Sequence, residues 1–313
     1  MTYIHINTNS EMKLIRNTIL CLLMSFSVFS QKYSKYEAIY LADSLGGFRV
    51  KQYSESLKLY DYVFNNFKIS PKLYVKASTI AIKDSQKVVA FKYLNNAIDN
   101  GWKDIRTLER EKIFIHLQGN PEWIILINKL KKNIEDMNKN YDLVLQDSIT
   151  RMYDKDQGIR KYIGVFVNGK PKYNNDSLLP IMQNIDSQNQ HFLIGLLQKN
   201  HTPPISNEAM DMLFTLIAHC DLSTQETFLP VLDNIKKDSE EQRYTYLMIQ
   251  DKILVKKGEK QKFGTQMEWN NATGKMMLLP VEDCNYAEKI RADLDIEPLS
   301  IYLRSLKIYD GCK

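Results

Sequence analysis

Ala90-Phe-Lys-Tyr-Leu-Asn-Asn-Ala-Ile98, with Gly101-Trp102 just behind it, is the stretch on which the reading of the fold turns. Ala90, Tyr93, Leu94, Ala97 and Ile98 recur at steps of three and four, which puts them on one face of a helix. Gly101 is a plausible stop, because glycine enters the left-handed conformation that closes helices at no steric cost. The spacing therefore predicts a helix over Ser85–Asn100.

Reading upstream, Pro71–Ile82 supplies a partner helix. Before it, Tyr36, Ile39, Tyr40 and Leu45, then Tyr53, Leu57, Tyr60 and Phe64, keep the helical spacing on either side of a Gly46-Gly47 break. Ser56 sits where a neighbouring helix could pack closely, and the aromatic stripe reads as core. Paired helices recurring at about 34 residues have the period of tetratricopeptide repeats. The segment 90–102 resembles the last helix of such an array. Asp104, Leu108, Phe114, Leu117 and Asn120-Pro-Glu-Trp123 resemble the tail that closes one. The resemblance covers about residues 36–135 and is weak before 70, where the expected Trp and Gly signposts are missing. It implies a surface for a protein or peptide partner rather than a catalyst.

Reading downstream, Asn133–Asn140 is a polar joint. Helices are expected at Tyr141–Tyr153, extending toward Ile163, then at Asp176–Ile185, Gln188–Lys199 and Glu208–His219. Three more are expected at Gln225–Lys237, Glu240–Lys256 and Tyr286–Leu294, the last leading to Leu299–Leu306. Ser206, Ser223 or Thr224, and Ser239 are candidate caps. After Gly258 the period changes. Lys262–Trp269 and Lys275–Val281 flank Asn270–Gly274 and read as one β-hairpin. Its alternation would put Phe263, Thr265 and Met267 on one face.

Polar residues recur in this second half where a folded domain would not need them. They are Asp156, Gln157 and Arg160; Asp186 and Asn189; His219; Asp251; and Gln261, Gly264, Thr265 and Gln266. As chemistry, His219 would be a general base, oriented by Asp156 or Asp251, with Arg160 binding an anion. The glutamines and Thr265 would hold a polar ligand, and Gly264 would let it approach the backbone. The same residues could equally form a buried hydrogen-bonded network. The five histidines make no HExxH or other tight metal spacing, so no metal is expected. A nucleophile elbow, a P-loop and a GxGxxG fingerprint are all absent, and no cofactor is expected.

These motifs resemble the bacterial domain of unknown function 6624. Asp156-Gln157-Gly-Ile-Arg160 matches its DQxxR segment, Asp186-Ser-Gln-Asn189 its DxxN segment, and His219 the end of its apolar helix. Asp251-Lys252 matches a further element, and Gln261-Lys-Phe-Gly-Thr-Gln266 its hallmark QxYGTQ. Pro280-Val-Glu-Asp283 and Arg291 match the closing part, so the likeness spans about 145–303. Phe263 stands where the pattern has Tyr, which removes that hydroxyl. Asn200-His201-Thr202-Pro203 replaces a Gly-Trp-Pro turn. The resemblance carries no established activity.

The amino terminus has another logic. Met12-Lys-Leu-Ile-Arg16 is a positive segment, Ile19–Phe29 a short apolar one, and Ser30-Gln31 a small-residue exit, which is the layout of a cleavable secretory signal. The Phe-Ser-Gln ending is similar to signals of the Bacteroidetes group. Met12 reads as the true start. The apolar run is shorter than the roughly 20 residues of a spanning helix, so no membrane span is expected after cleavage. Cys21 lies inside the apolar run behind Ile19-Leu20, which is not a lipobox. Cleavage leaves Cys220, Cys284 and Cys312, whose pairing spacing cannot assign.

With 44% apolar and 25% charged residues and a net charge of +5, the chain has the balance of a folded globular protein. Removing residues 1–30 takes away Lys13, Arg16 and Glu11 and leaves +4. Basic and acidic residues are interspersed, so no nucleic-acid partner is expected. The expectation is a mainly α protein: a signal over 1–31, tetratricopeptide-like helical repeats over 32–138, and a helical domain with a β-hairpin near 261–281 over 139–313. Three functions fit. They are an exported binding or scaffolding protein, a hydrolase-like enzyme with a cleft of His219, Asp, Arg160 and Gln266, and a purely structural module.

Overall fold

A computed structural model describes residues 33–163, 166–167, 170–171, 175–197, 203–270, 274–308 and 312. The expected signal segment lies outside the described residues, as do most of the Asn200–Pro203 turn and the tip of the expected hairpin loop. Among the described residues no helix is long and apolar enough to cross a membrane.

The N-terminal half is helical throughout: α1 (Lys35–Gly46), α2 (Tyr53–Asn66), α3 (Pro71–Lys83), α4 (Lys87–Asp99), α5 (Ile105–Arg110), a 3-10 turn at Lys112–Phe114, α6 (Ile115–Gln118) and α7 (Pro121–Asn138). Local chemistry sets the starts. Ser34 and Glu37 form a reciprocal capping box at α1. Ser70 before Pro71, and Asn120 before Pro121, each cap a helix whose first residue lacks an N–H to satisfy. Gly101 takes φ +92° and Trp102 N–H bonds back to Ala97 O at 2.9 Å, so α4 ends where glycine permits it.

Helices α1 and α2, and α3 and α4, pack as successive hairpins, α2 lies against α3, and α7 covers α4. Close approach explains the small residues at the first contact. The buried Ser56 hydroxyl donates to Ala42 O at 2.7 Å. A Cβ on Gly46 would lie 2.8 Å from that hydroxyl. Tyr60, Tyr93 and Trp102 are buried in one continuous core with Leu94, Phe114 and Leu130; of the aromatic stripe, Tyr60 is core, Tyr53 and Phe64 pack against it, and Tyr36 and Tyr40 are half-buried outside it. Burying one such large side chain, aromatic or aliphatic, contributes about 1.5–3 kcal/mol.

The second half holds α8 (Leu143–Arg160), α9 (Asn175–Leu197), α10 (Asn207–Ala218), α11 (Leu222–Asn234), α12 (Glu240–Lys256), α13 (Cys284–Asp293) and α14 (Leu299–Ser305). Two short antiparallel pairs accompany them. Phe166–Val167 (β1) faces Lys170–Pro171 (β2), and Met267–Asn270 (β3) faces Lys275–Leu278 (β4) with Met267 opposite Leu278. The apolar α10, which carries Leu213, Phe214 and Ile217, is the centre of the core, packed by α8, α9 and α12. Each cluster of buried apolar residues stays within one half.

Three expected elements change. The two helices foreseen at 176–185 and 188–199 are one, α9, which runs through Pro180. Across the expected boundary the helix is continuous: Asp186 pairs with Arg160 and Asn189 is buried, while Ser187 and Gln188 are exposed. Helix α11 begins earlier than expected because Asp221, not Ser223 or Thr224, caps it, its carboxylate accepting from Thr224 N–H at 2.8 Å. The hairpin is shorter, because residues 262–266 are not strand. Cys284 and Cys312 are disulfide-bonded, with Cα atoms 5.8 Å apart, and Cys220 is free and buried.

Candidate functional site

The sequence-flagged residues fall into two separate sets. The first gathers where α8, α9 and the end of α10 meet. Asp156, fully buried on α8, lies 3.0 Å from His219 Nδ1. One turn along α8, Arg160 Nη1 is 3.2 Å from Asp156 Oδ1. Its Nη2 donates to both carboxylate oxygens of Asp186 on α9, at 2.8 and 3.0 Å. Gln157 Nε2 donates to Asp156 at 2.8 Å. Spacing of four on α8 puts Asp156 and Arg160 on one face, and the steps of three on α9 bring Asn189 to the same face as Asp186.

Burial alone would raise the Asp156 carboxyl, but the His219 ring, Arg160 and Gln157 outweigh it and hold the group below its ordinary value. Asp186 moves the other way: burial pushes it up, and Arg160 offsets only part of the shift. Two further residues join: Lys252, which the Asp251-Lys252 motif marked without a role, and Gln225, which carried no motif signal. Lys252 Nζ and Gln225 Nε2 both donate to Ala218 O, at 2.8 and 2.9 Å, and Gln225 also reaches Cys220 O. Burial, first of all, lowers Lys252. Asn189 Nδ2 and Gln225 Oε1 are buried without a hydrogen-bond partner among the described residues. The side chain of His219 is a quarter exposed.

The second set surrounds Asp251, one residue before Lys252 but on the other side of α12. The Asp251 carboxylate is fully buried and accepts from the backbone N–H of Lys262, Phe263 and Thr265, at 2.7, 3.0 and 3.0 Å, and from the Thr265 hydroxyl at 2.9 Å. Gln261, also fully buried, donates to Gln266 O and Leu279 O and accepts from Gln266 N–H at 2.7 Å. Gln266 Nε2 donates to Met248 O and to Thr265 Oγ1. Gly264 stands at φ +70°, and a Cβ there would come within 2.6 Å of Leu299. Arg291, fully buried, donates to Glu297 O and Phe263 O beneath the rings of Tyr244 and Tyr302.

A family model described as a family of unknown function, DUF6624, matches residues 143–313. The chain belongs to this family. No curated protein and no solved structure matches it.

Within this DUF6624 domain the two sets have different capacities. Expected as an orienting carboxylate for His219, Asp251 instead bonds to the loop 261–266, and the carboxylate beside the His219 ring is that of Asp156. Gln261, Thr265 and Gln266, expected to hold ligand, instead hydrogen-bond to backbone, to Asp251 and to one another, and Gly264 lies against Leu299. Phe263 is buried against Leu247 and Ile296, so a ring without a hydroxyl suits its surroundings. The His219 set differs in having a partly exposed ring and unpaired buried amide atoms. With Nδ1 donating to Asp156, the ring's other nitrogen is left to take or give a proton. Cys220, the adjacent thiol, is no nucleophile: burial pushes it up to about 12. Among the described residues, no three His, Cys, Asp or Glu side chains gather as a metal site.

Proposed function

We propose that the chain is an exported envelope protein that binds rather than transforms. In this reading the N-terminal helices act as tetratricopeptide-like repeats for a protein or peptide partner, and the DUF6624 domain holds a small polar ligand at His219. The observation that carries the ligand site is the His219 ring, held at one nitrogen by a fully buried carboxylate while still partly open to solvent. A histidine needed only for packing would not require a floor of two carboxylates bridged by Arg160. Export is supported by the Lys13–Ser30 signal pattern and by the Cys284–Cys312 disulfide, a bond suited to oxidising compartments.

The test is binding of soluble cell-wall peptides and glycans to the mature chain and to His219→Ala. Ligand binding lost with unchanged melting supports the reading. Equal binding by both proteins removes His219 from the ligand site, and no binding to any member of the panel removes the ligand role altogether.

A second reading rests on the same dyad. Nδ1 held by a carboxylate is the arrangement in which His Nε2 serves as general base, and with Cys220 protonated the nucleophile would be water. Such hydrolysis would use His219, Asp156 and Arg160, but not Gln266. Turnover of any panel member that disappears in Asp156→Asn would favour it over binding alone.

A further inference from the structure

A cleft of about 1600 Å³ separates the two halves, and it is built from charge of opposite sign. The N-terminal half lines it with seven basic and two acidic side chains, the second half with eight acidic and one basic. Among the described residues, every ion pair that crosses between the walls has the same polarity. Lys35 meets Asp295 at 2.7 Å, Lys72 meets Asp211 at 3.0 Å, and Arg106 and Arg110 meet Asp154 at 3.3 and 3.6 Å. In all four the cation comes from the N-terminal half.

Two consequences follow from elementary physics. Among the described residues no cluster of buried apolar residues spans the halves, so the two walls are not sealed together by a shared apolar core. The pairs of Arg106 and Arg110 with Asp154 are partly exposed, and a charged ligand can exchange for either partner at small cost, whereas Asp211 is buried and also accepts from Ser239 and Gln242. Charges not used in crossing pairs remain on both walls. Lys68 and Glu241 are exposed and carry no ion pair among the described residues, and Glu208 Oε2 is buried without a hydrogen-bond partner. Small-molecule pockets run to roughly 300–1,000 Å³, so this cleft suits a length of polypeptide better than a metabolite.

We propose that the cleft between the halves is the docking site for a mixed-charge peptide, resting on the partner-binding role given above to the N-terminal helices. The peptide's carboxylates lie on the basic wall of α3 and α5, and its amines on the acidic wall of α8, α10 and the start of α12. Neither wall includes His219, Asp156 or Arg160, so the peptide site and the ligand site are separate.

The test uses the mature chain and a fluorescent peptide with a Glu block at one end and a Lys block at the other. All-Glu and all-Lys peptides of equal length serve as controls. Anisotropy is expected to show the block peptide binding on the order of tenfold more tightly than either control, with affinity falling as salt rises. Lys68→Glu and Glu241→Lys, both at exposed positions, should each weaken it by several-fold with unchanged melting. A photo-crosslinker in the peptide centre, used on the unaltered chain, should map to α3 and α10. Equal affinity for the three peptides, indifference to both variants, or crosslinks outside the cleft would each overturn the assignment. The panel experiment above judges the wider binding role separately.

Discussion

Thr265 reaches Asp251 twice, its backbone N–H at 3.0 Å and its hydroxyl at 2.9 Å from the same carboxylate oxygen. With Lys262 and Phe263 adding their amides to the other oxygen, one buried carboxylate gathers the loop 261–266 onto α12. Asp251→Asn should therefore cost on the order of 3 kcal/mol, because the amide offers one acceptor where the loop needs two and turns an NH2 toward donors. Thr265→Val removes only the hydroxyl bond and should cost about 1.5 kcal/mol. Urea denaturation monitored by circular dichroism measures both. An Asp251→Asn protein as stable as the parent would mean that the carboxylate does not hold the loop.

Gly264 lets the same loop pass close to α14. Its φ of +70° is a conformation that a side chain resists, and an added Cβ would meet Leu299 at 2.6 Å. Gly264→Ala should lose about 1–2 kcal/mol. Adding Leu299→Ala would relieve the contact but not the backbone, so the double variant should remain well below the parent. Full recovery in thermal melts would show that crowding alone makes glycine necessary.

The helical architecture was legible because helices announce themselves locally. Ser34 and Glu37, Ser70 with Pro71, and Gly101 are start and stop signals that act within one turn, and the observed helices begin and end near them. The motif residues were legible as a set for the same reason: Asp156-Gln157 and Arg160 share a helix face at fixed spacing. Their division was not. Asp251 and Lys252 are adjacent in sequence, yet one faces the 261–266 loop and the other Ala218 O, because neighbours on a helix point about 100° apart. Alternation in 262–269 suggested a strand, but tertiary hydrogen bonds to a buried carboxylate outbid strand pairing there. Gln225 entered the His219 set through folding alone, with no spacing to mark it, and Lys252 was marked only as the neighbour of Asp251.

The Cys284–Cys312 bond closes a loop of sequence separation 28 and ties the start of α13 to the carboxyl-terminal segment. Constraint of the unfolded chain by a loop of that length is worth about 3–4 kcal/mol on the chain-entropy model. Cys312→Ser, or reduction of the parent, should lower stability by up to that amount. The small core of Ala287, Leu299 and Leu303 should loosen first, because Cys312 packs against it. Hydrogen exchange across 284–305 reports the local effect. A thiol reagent should find no reactive cysteine in the native protein, since Cys220 is buried, and one after unfolding of the mature chain. Unchanged exchange after reduction would show the bond to be without structural weight.

Asp156 and Asp186 share Arg160 but should respond to acid with opposite sign. The folded state holds Asp156 below its ordinary value, so its ionised form stabilises the protein above the unfolded value of about 3.9. That contribution is lost as pH falls through the lower folded value. Asp186 is raised by burial, so its contribution is fully present below about pH 3.9 and is lost as pH rises through the folded value. On acidification, then, Asp156 removes stability while Asp186 returns some. Asp156→Asn should flatten the fall of the urea midpoint between about pH 6 and pH 3, and Asp186→Asn should steepen it. The two variants thus separate what a single acid-unfolding curve of the parent combines. Parallel curves for all three proteins would mean that neither carboxylate changes its proton affinity on folding, and the Asp156–His219 pair would lose its electrostatic basis.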